Sequence, residues 1–320
     1  MTIVQMQYIL AVARWGSFTM AAEKCFVTQP TLSMQIQKLE EQLDVQIFDR
    51  NKKPVAVTPI GSKIVEQASI VIGEAMRIKD IIDSEKNSVS GDFRLGIIPT
   101  VMPTLLPLFL RTYMKKYPKV TLHVEEIQTP NMLEALKDGM IDAGIAATPL
   151  QEPDIIEHPL YLEPMVAFVD ENSDLYRKKK VTPEDISRQQ LLLLENGHCF
   201  RNSVLNLCQE AKKTTAEQKF RLSSGNFETL VGLSKDGFGT TVLPYLNTLS
   251  LRSEDTRFIR EFTAPVPSRE ISLIHSSSQL RMQVSMSLVS VITGIIRGMI
   301  MLDDTKVISP IESRTKVVVA

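Results

Sequence analysis

The chain has 320 residues, 43% of them hydrophobic and 23% charged, with a formal net charge of −1. This length suggests two or three domains, and the charge balance gives no global sign of a nucleic-acid partner. Three scattered cysteines make no disulfide framework. No apolar run approaches the ~18 residues of a membrane span, and the start lacks the basic region of a signal peptide. The expectation is a soluble protein of a reducing cytoplasm, with no membrane partner.

Met6, Ile9, Leu10 and Ala13 outline a first amphipathic helix ending near Gly16, and Ser17 to Phe26 a short second one carrying Ala21-Ala22. Thr28 can cap a third helix, with Pro30 in its first turn, where no amide donor is needed. That helix buries Leu32, Ile36, Leu39 and Leu43, and its other face shows Gln29, Thr31, Ser33, Gln35, Gln37 and Lys38; Thr28 and Pro30 at its start are further candidate DNA contacts. Such side chains suit phosphates and base edges, as on a recognition helix. Residues 46–50 and 54–58 read as a two-stranded wing with Arg50, Lys52 and Lys53 at its tip. Residues 1–58 carry six Lys/Arg against five Asp/Glu, so charge alone does not distinguish a DNA-reading face from a solvated one.

The ordered series Phe18, Ala21-Ala22, Thr28-Gln29-Pro30-Thr31-Leu32-Ser33, Ile36, Leu39-Glu40, Leu43, Phe48-Asp49-Arg50 and Thr58-Pro59-x-Gly61 resembles the winged helix-turn-helix of LysR-type transcriptional regulators. Behind it, Ile64, Ala68, Val71, Ala75, Ile78 and Ile82 repeat as a heptad seam, which stops at the polar stretch 83–88. The resemblance implies that two such linker helices pair in a dimer and that the dimer reads two-fold promoter DNA.

From Asp92 strands and helices alternate: strands at 93–98, 120–126 and 142–147, helices at 105–117 and 132–138. The pattern argues for a parallel α/β sheet. A second unit follows with strands at 165–170, 191–195, 220–224, 237–243 and 257–261 and a helix at 227–236. A strand at 270–274 and a last helix at 279–300 return to the first unit. The fold class expected is thus mixed α/β in three parts. Residues 1–58 form the winged helix-turn-helix and 59–90 a linker helix and hinge. Residues 91–302 form a two-lobed regulatory domain like a periplasmic binding protein. Its lobe I is 91–161 with 266–302, its lobe II is 162–265, and 303–320 is a loose tail.

The most reactive stretch is Gly197-His198-Cys199-Phe200-Arg201-Asn202, with Cys208 beyond it. Phe200, Val204, Leu207 and Cys208 recur at helical spacing, and Gly197 breaks the chain before them. Cys199 then meets the positive end of a helix dipole, with His198 and Arg201 as further sources of positive charge, all favouring the thiolate. A continuous helix would hold the Cα atoms of Cys199 and Cys208 roughly 13 Å apart, whereas a disulfide needs about 4.4–6.8 Å. The plain alternative is that both are ordinary buried cysteines. Too few ligands stand together for zinc, and no metal or cofactor is expected. By general topology, ligands sit beyond the carboxyl ends of strands, where Thr100 and Gln128-Thr129 lie.

Residues 193–201 with Cys208, together with Ile97-Ile98-Pro99-Thr100-Val101 and Gln128-Thr129, are similar to the redox region of the peroxide-sensing branch of that family. The likeness extends over about residues 1–302. It implies that Cys199 attacks hydrogen peroxide, that Cys208 resolves the product as a disulfide, and that Thr100, Thr129, His198, Arg201 and Asn202 hold the peroxide. It implies as partners promoter DNA, RNA polymerase, a dimer of dimers, and glutaredoxin or thioredoxin as reductant. Asn202 stands where many relatives carry an acidic residue, and His275-Ser276 where many carry an aromatic-arginine pair. Two other readings are a regulator answering a small-molecule co-inducer and a thiol peroxidase. The DNA-binding module argues against the peroxidase, and the chain is not expected to be an enzyme.

Overall fold

The computed structural model describes residues 1–85, 89–208, 224–277, 279, 281–300 and 304–311, with the side chains of 73, 74 and 76–85 outside that set. The chain divides into two units, Met1–Ser88 and Val89–Ala320.

In the first unit, α1 (Ile3–Trp15) starts in a capping box of Thr2 and Gln5 and ends at Gly16 in the left-handed region. Helix α2 (Phe18–Lys24) is capped by Ser17, and α3 (Gln29–Leu43) by Thr28 with proline in its first turn. The wing is β1 (Phe48–Asp49) paired antiparallel with β2 (Ala56–Val57). Helix α4 runs Pro59–Glu85. Ile9, Val12, Ala21, Leu32, Ile36, Leu39 and Ile47 form the core without solvent exposure. The Thr58-Pro59-x-Gly61 signature has a steric basis. The Thr58 hydroxyl accepts the Gly61 amide at 2.9 Å, and a Cβ at Gly61 would lie 2.1 Å from the Ile47 carbonyl oxygen. The first half of the expected dimer seam is used within the chain. Ala68 is buried in this core, with Ile64 and Val71 packed against it. Ala75 is half-buried, and the side chains of Ile78 and Ile82 lie outside the described residues.

The second unit is built on a sheet with nine strands among the described residues. Strands β3 (Gly91–Ile97), β4 (Val120–Glu126) and β5 (Ala143–Thr148) are parallel, joined through α5 (Met102–Lys116) and α6 (Thr129–Lys137). The sheet is not parallel throughout, as expected from the alternation. Strand β6 (Ile155–Phe168) pairs antiparallel over Ile155–Pro164 with Val266–Ser276, and its last residues pair antiparallel with strands of lobe II. These two long strands carry the chain between the lobes: the lobe boundary at 161/162 falls inside β6, and the one at 265/266 falls where the Val266–Ser276 strand begins. Beyond β6 come β7 (Lys180–Val181), α7 (Pro183–Ser187), α8 (Cys199–Leu207), α9 (Phe227–Lys235), β8 (Thr241–Pro244), β9 (Ile259–Phe262) and β10, the Val266–Ser276 strand. Helix α10 is Met282–Ile296, shorter than the 279–300 expected. Residues 191–195 form only one bridge, Leu191 to Thr240, and the strand expected at 220–224 falls almost wholly outside the described residues.

Each lobe has its own apolar core, one around Phe93, Phe109, Ile145 and Leu273, the other around Phe168, Leu191, Val204 and Phe262. Of the loose tail expected at 303–320, residues 304–311 are described and are ordered on the sheet, and the rest lie outside the described residues. Residues 305–307 form β11, parallel to β10 with Val266 opposite Thr305, and Ile308 is buried in the lobe II core. The polar and charged composition there hides a strand because its partner lies some forty residues earlier in the chain.

Candidate functional site

Gly197 sits at φ 97°, a left-handed conformation that lets the chain turn into α8, and a Cβ there would lie 2.6 Å from Gln128 Oε1. His198 is the N-cap of α8, and Cys199 its first residue. The Cys199 thiol donates to the Thr129 hydroxyl at 3.1 Å. Thr129 starts α6 at the carboxyl end of β4, with Gln128 as N-cap. His198 Nε2 lies 3.4 Å from the Gln128 amide nitrogen and 3.8 Å from Glu195 Oε1. With the amide donating, that nitrogen is an acceptor and the imidazole proton sits on Nδ1. The niche therefore joins a loop and helix start from lobe II to strand ends from lobe I.

The cation of this site is Arg269, which the sequence reading missed. It is buried on β10 and holds Glu163 of β6 at 2.7 and 2.9 Å. Its Nη1 donates to the Thr100 hydroxyl at 3.0 Å and its Nη2 to the Thr100 carbonyl at 3.1 Å. Its guanidinium lies 5.0 Å from the centre of the Phe200 ring. Only a signal such as an arginine inside an alternating strand pattern, Val266 to Ile274, could have pointed to it.

The expected charge sources near the thiol are different in fact. Burial lowers the His198 pKa, against the pull of Glu195 and Glu126, so the ring is neutral near pH 7. Arg201 donates to the Leu194 carbonyl at 2.8 Å, and the charge that acts on the Cys199 thiol is that of Arg269. Burial pushes the Cys199 thiol up, and the Thr129 hydrogen bond and the Arg269 charge oppose it. The thiolate is thus not the resting form that helix position alone suggested. Asn202 is half-buried on α8. Cys208 caps the other end of α8, buried in the lobe II core, with its thiol 3.8 Å from the Pro183 carbonyl. Burial, then the Glu184 charge, push its pKa up to about 12.

A cavity of about 720 Å³ opens nearby, with Pro99, Thr104 and Glu126 on one side and Asn226, Phe227 and Lys235 on the other. Cys199 is not in its wall.

On the first unit, Thr28, Gln29, Pro30 and Thr31 at the start of α3 and Lys38 farther along it are exposed, as are Lys52 and Lys53 in the wing. Ser33 and Arg50 come together, Arg50 donating to Ser33 Oγ at 3.2 Å while pairing with Glu40 at 2.9 Å. Glu40 also accepts the Ile47 amide at 2.8 Å, so Arg50 ties the wing to α3 as well as presenting charge. Gln35 is half-buried and bonded by the Gln5 amide at 3.3 Å, which turns it partly toward α1.

These features define a DNA-binding regulator with a separate two-lobed sensory domain. Residues 3–62 match the bacterial regulatory helix-turn-helix of the lysR family, and residues 86–290 match the LysR substrate binding domain. The chain belongs to the LysR family. Within it, the chain is 34% identical over 275 residues to the DNA-binding transcriptional dual regulator OxyR of Escherichia coli K12, spanning 86% of this chain and 89% of that one. It is 33% identical to the hydrogen peroxide-inducible genes activator of Pectobacterium carotovorum, spanning 86% and 90%. A full-length OxyR variant from Pseudomonas aeruginosa superposes with a TM-score of 0.77 at 32% identity, spanning 91% of this chain and 94% of that one.

Proposed function

We propose that this chain is a peroxide-responsive transcription regulator in which Cys199 is the sensing thiol and Cys208 the resolving one. The observation that carries the reading is a thiol 3.1 Å from the Thr129 hydroxyl at the first turn of a helix whose far end carries a second thiol. In the first step the Cys199 thiolate attacks one peroxide oxygen and the O–O bond breaks. The leaving hydroxide takes the proton shed by the thiol, giving water and a sulfenic acid. The Thr129 hydroxyl turns to donate to the thiolate, and the Thr100 hydroxyl, oriented by Arg269, donates to peroxide. His198 accepts from Gln128 and frames the niche, and Arg201 and Asn202 line α8 beside it. In the second step the Cys208 sulfur attacks the sulfenic sulfur, the S–O bond breaks, and a second water leaves with the Cys208 proton. One peroxide and two thiols thus yield one disulfide and two waters.

A continuous α8 keeps the two Cα atoms roughly 13 Å apart, so the second step unwinds it. The refolded lobe II then alters how subunits of a dimer of dimers space their α3 helices on promoter half-sites and meet RNA polymerase. A thiol reductant of the glutaredoxin or thioredoxin type resets the disulfide. Thr28, Gln29, Pro30, Thr31, Ser33, Gln35 and Lys38, with Arg50, Lys52 and Lys53, form the DNA face. The dimer contact is the seam of Ile64, Ala68, Val71, Ala75, Ile78 and Ile82, of which Ile64, Ala68 and Val71 also pack into the first unit's own core.

The test is mass spectrometry of thiol-blocked protein after a brief micromolar peroxide dose, beside Cys199→Ser. A Cys199–Cys208 cross-link absent from the variant is expected, and free thiols at both positions would sink the reading. The inter-lobe cavity of about 720 Å³ favours one second reading, a co-inducer acting there with the cysteines as bystanders. In that case Cys199→Ser would leave induction intact.

A further inference from the structure

The C-terminal segment does more than extend the sheet. The Val266 amide donates to the Asp304 carbonyl at 2.9 Å, and the Ile308 amide to the Ser268 carbonyl at 2.8 Å. The segment is thereby stapled to β10 beside Arg269. Ile308 then enters the same apolar core as Phe200, Val204 and Cys208. Beyond it the chain crosses α8. Asn206 Nδ2 donates to the Ser309 carbonyl at 3.0 Å and to the Ile311 carbonyl at 2.7 Å. Ser203 Oγ, one turn earlier, lies 3.5 Å from the same Ser309 carbonyl and 3.3 Å from the Cys199 carbonyl. A carboxamide nitrogen has two hydrogens, one for each carbonyl, and a carboxylate in its place would have none. Both anchoring residues lie between the two cysteines, on the stretch that must unwind before the thiols can meet.

Resting on the disulfide reading above, we propose that Asn206 is a positioning residue for the second step. It acts through residues 304–311, which strap α8 in its helical, reduced form. Closing the disulfide draws Cα atoms from roughly 13 Å to within about 7 Å. Asn206 cannot keep both carbonyls while that happens. The strap therefore opposes closure and leaves the attack on peroxide, at the other end of α8, untouched. Release of the strap then accompanies oxidation and frees the C-terminal segment.

The experiment mixes the full chain rapidly with peroxide, as wild type, Asn206→Ala and Asn206→Asp. Sulfenic acid is trapped with a dione reagent and the cross-link is read by mass spectrometry, so that the two steps are timed separately. The expected result is an unchanged first step and closure about tenfold faster in both variants, from the loss of two hydrogen bonds. The same tenfold change in equilibrium lowers the disulfide potential by about 30 mV. Amide exchange of residues 304–311 should also rise on oxidation of the wild type. Equal closure rates and potentials, a parallel change in both steps, or equal exchange in both redox states would each overturn the strap while leaving the disulfide reading standing. A wild type that never cross-links would overturn both.

Discussion

The two ends of α8 carry the same functional group in opposite surroundings. At the N-terminal end, Cys199 touches the Thr129 hydroxyl and feels the Arg269 guanidinium, both of which offset the cost of burying a thiolate. At the C-terminal end, Cys208 lies in the apolar core of lobe II beside Glu184, and burial and that carboxylate both oppose ionisation. The difference supports the two roles proposed above. A sulfur with compensating donors can ionise on demand and act as nucleophile, whereas one without them stays a neutral small apolar residue until its helix opens. The order of events follows from environment rather than from the residue type.

The largest effect that would break this comparison comes from its charge. Arg269→Met should leave the Glu163 carboxylate buried and unpaired, destabilising the sensory domain by about 3–5 kcal/mol in denaturant unfolding. The double variant with Glu163→Gln should recover most of that stability and still oxidise slowly at Cys199. Full-rate oxidation in the double variant would show that Arg269 has no electrostatic part in the chemistry.

The Cys208 end is sharpened by alkali. In the unfolded chain the thiol ionises near pH ~8.5, and in the fold at about 12. Between those values the unfolded chain holds fewer protons, so stability falls as pH rises through that window, and below it the contribution is fully present. Cys208→Ala should flatten the alkaline decline in unfolding free energy, and an identical slope in both proteins would contradict the burial argument.

At the Cys199 end, the raised pKa means that the peroxide rate should climb with pH through the neutral range, close to tenfold per unit while the thiol is mostly protonated. Stopped-flow traces that are flat from pH 6 to 8 would instead place the resting group as a thiolate. The smallest expected effect is Thr129→Val. Losing one hydrogen bond of roughly 0.5–1.5 kcal/mol should slow the first step by about two- to tenfold and move its pH profile upward, with the cross-link still forming.

Much of this was legible in the chain because it is local. Thr28 and Pro30 mark the start of α3, Gly197 marks the entry to α8, and a periodic apolar face shows each helix. Helix caps and turns depend on residues three or four apart, so they are written where they act. The sequence by itself also determined the roughly 13 Å of helix between the thiols and the strand ends that bring Thr100 and Thr129 to one edge.

Other features depend on partners far away in the chain. Arg269 is an ordinary charged residue until it meets Glu163, 106 positions earlier, and Thr100, 169 positions earlier. His198 and Arg201 looked like the thiol's cations because they are its neighbours in sequence, yet burial neutralises one, the other bonds the Leu194 carbonyl, and the charge acting on the thiol is that of Arg269. Residues 304–311 have no periodicity because their order comes from β10 and Asn206 rather than from themselves. Charge compensation and burial are set by whatever surrounds a group in space, and only the tertiary structure decided that.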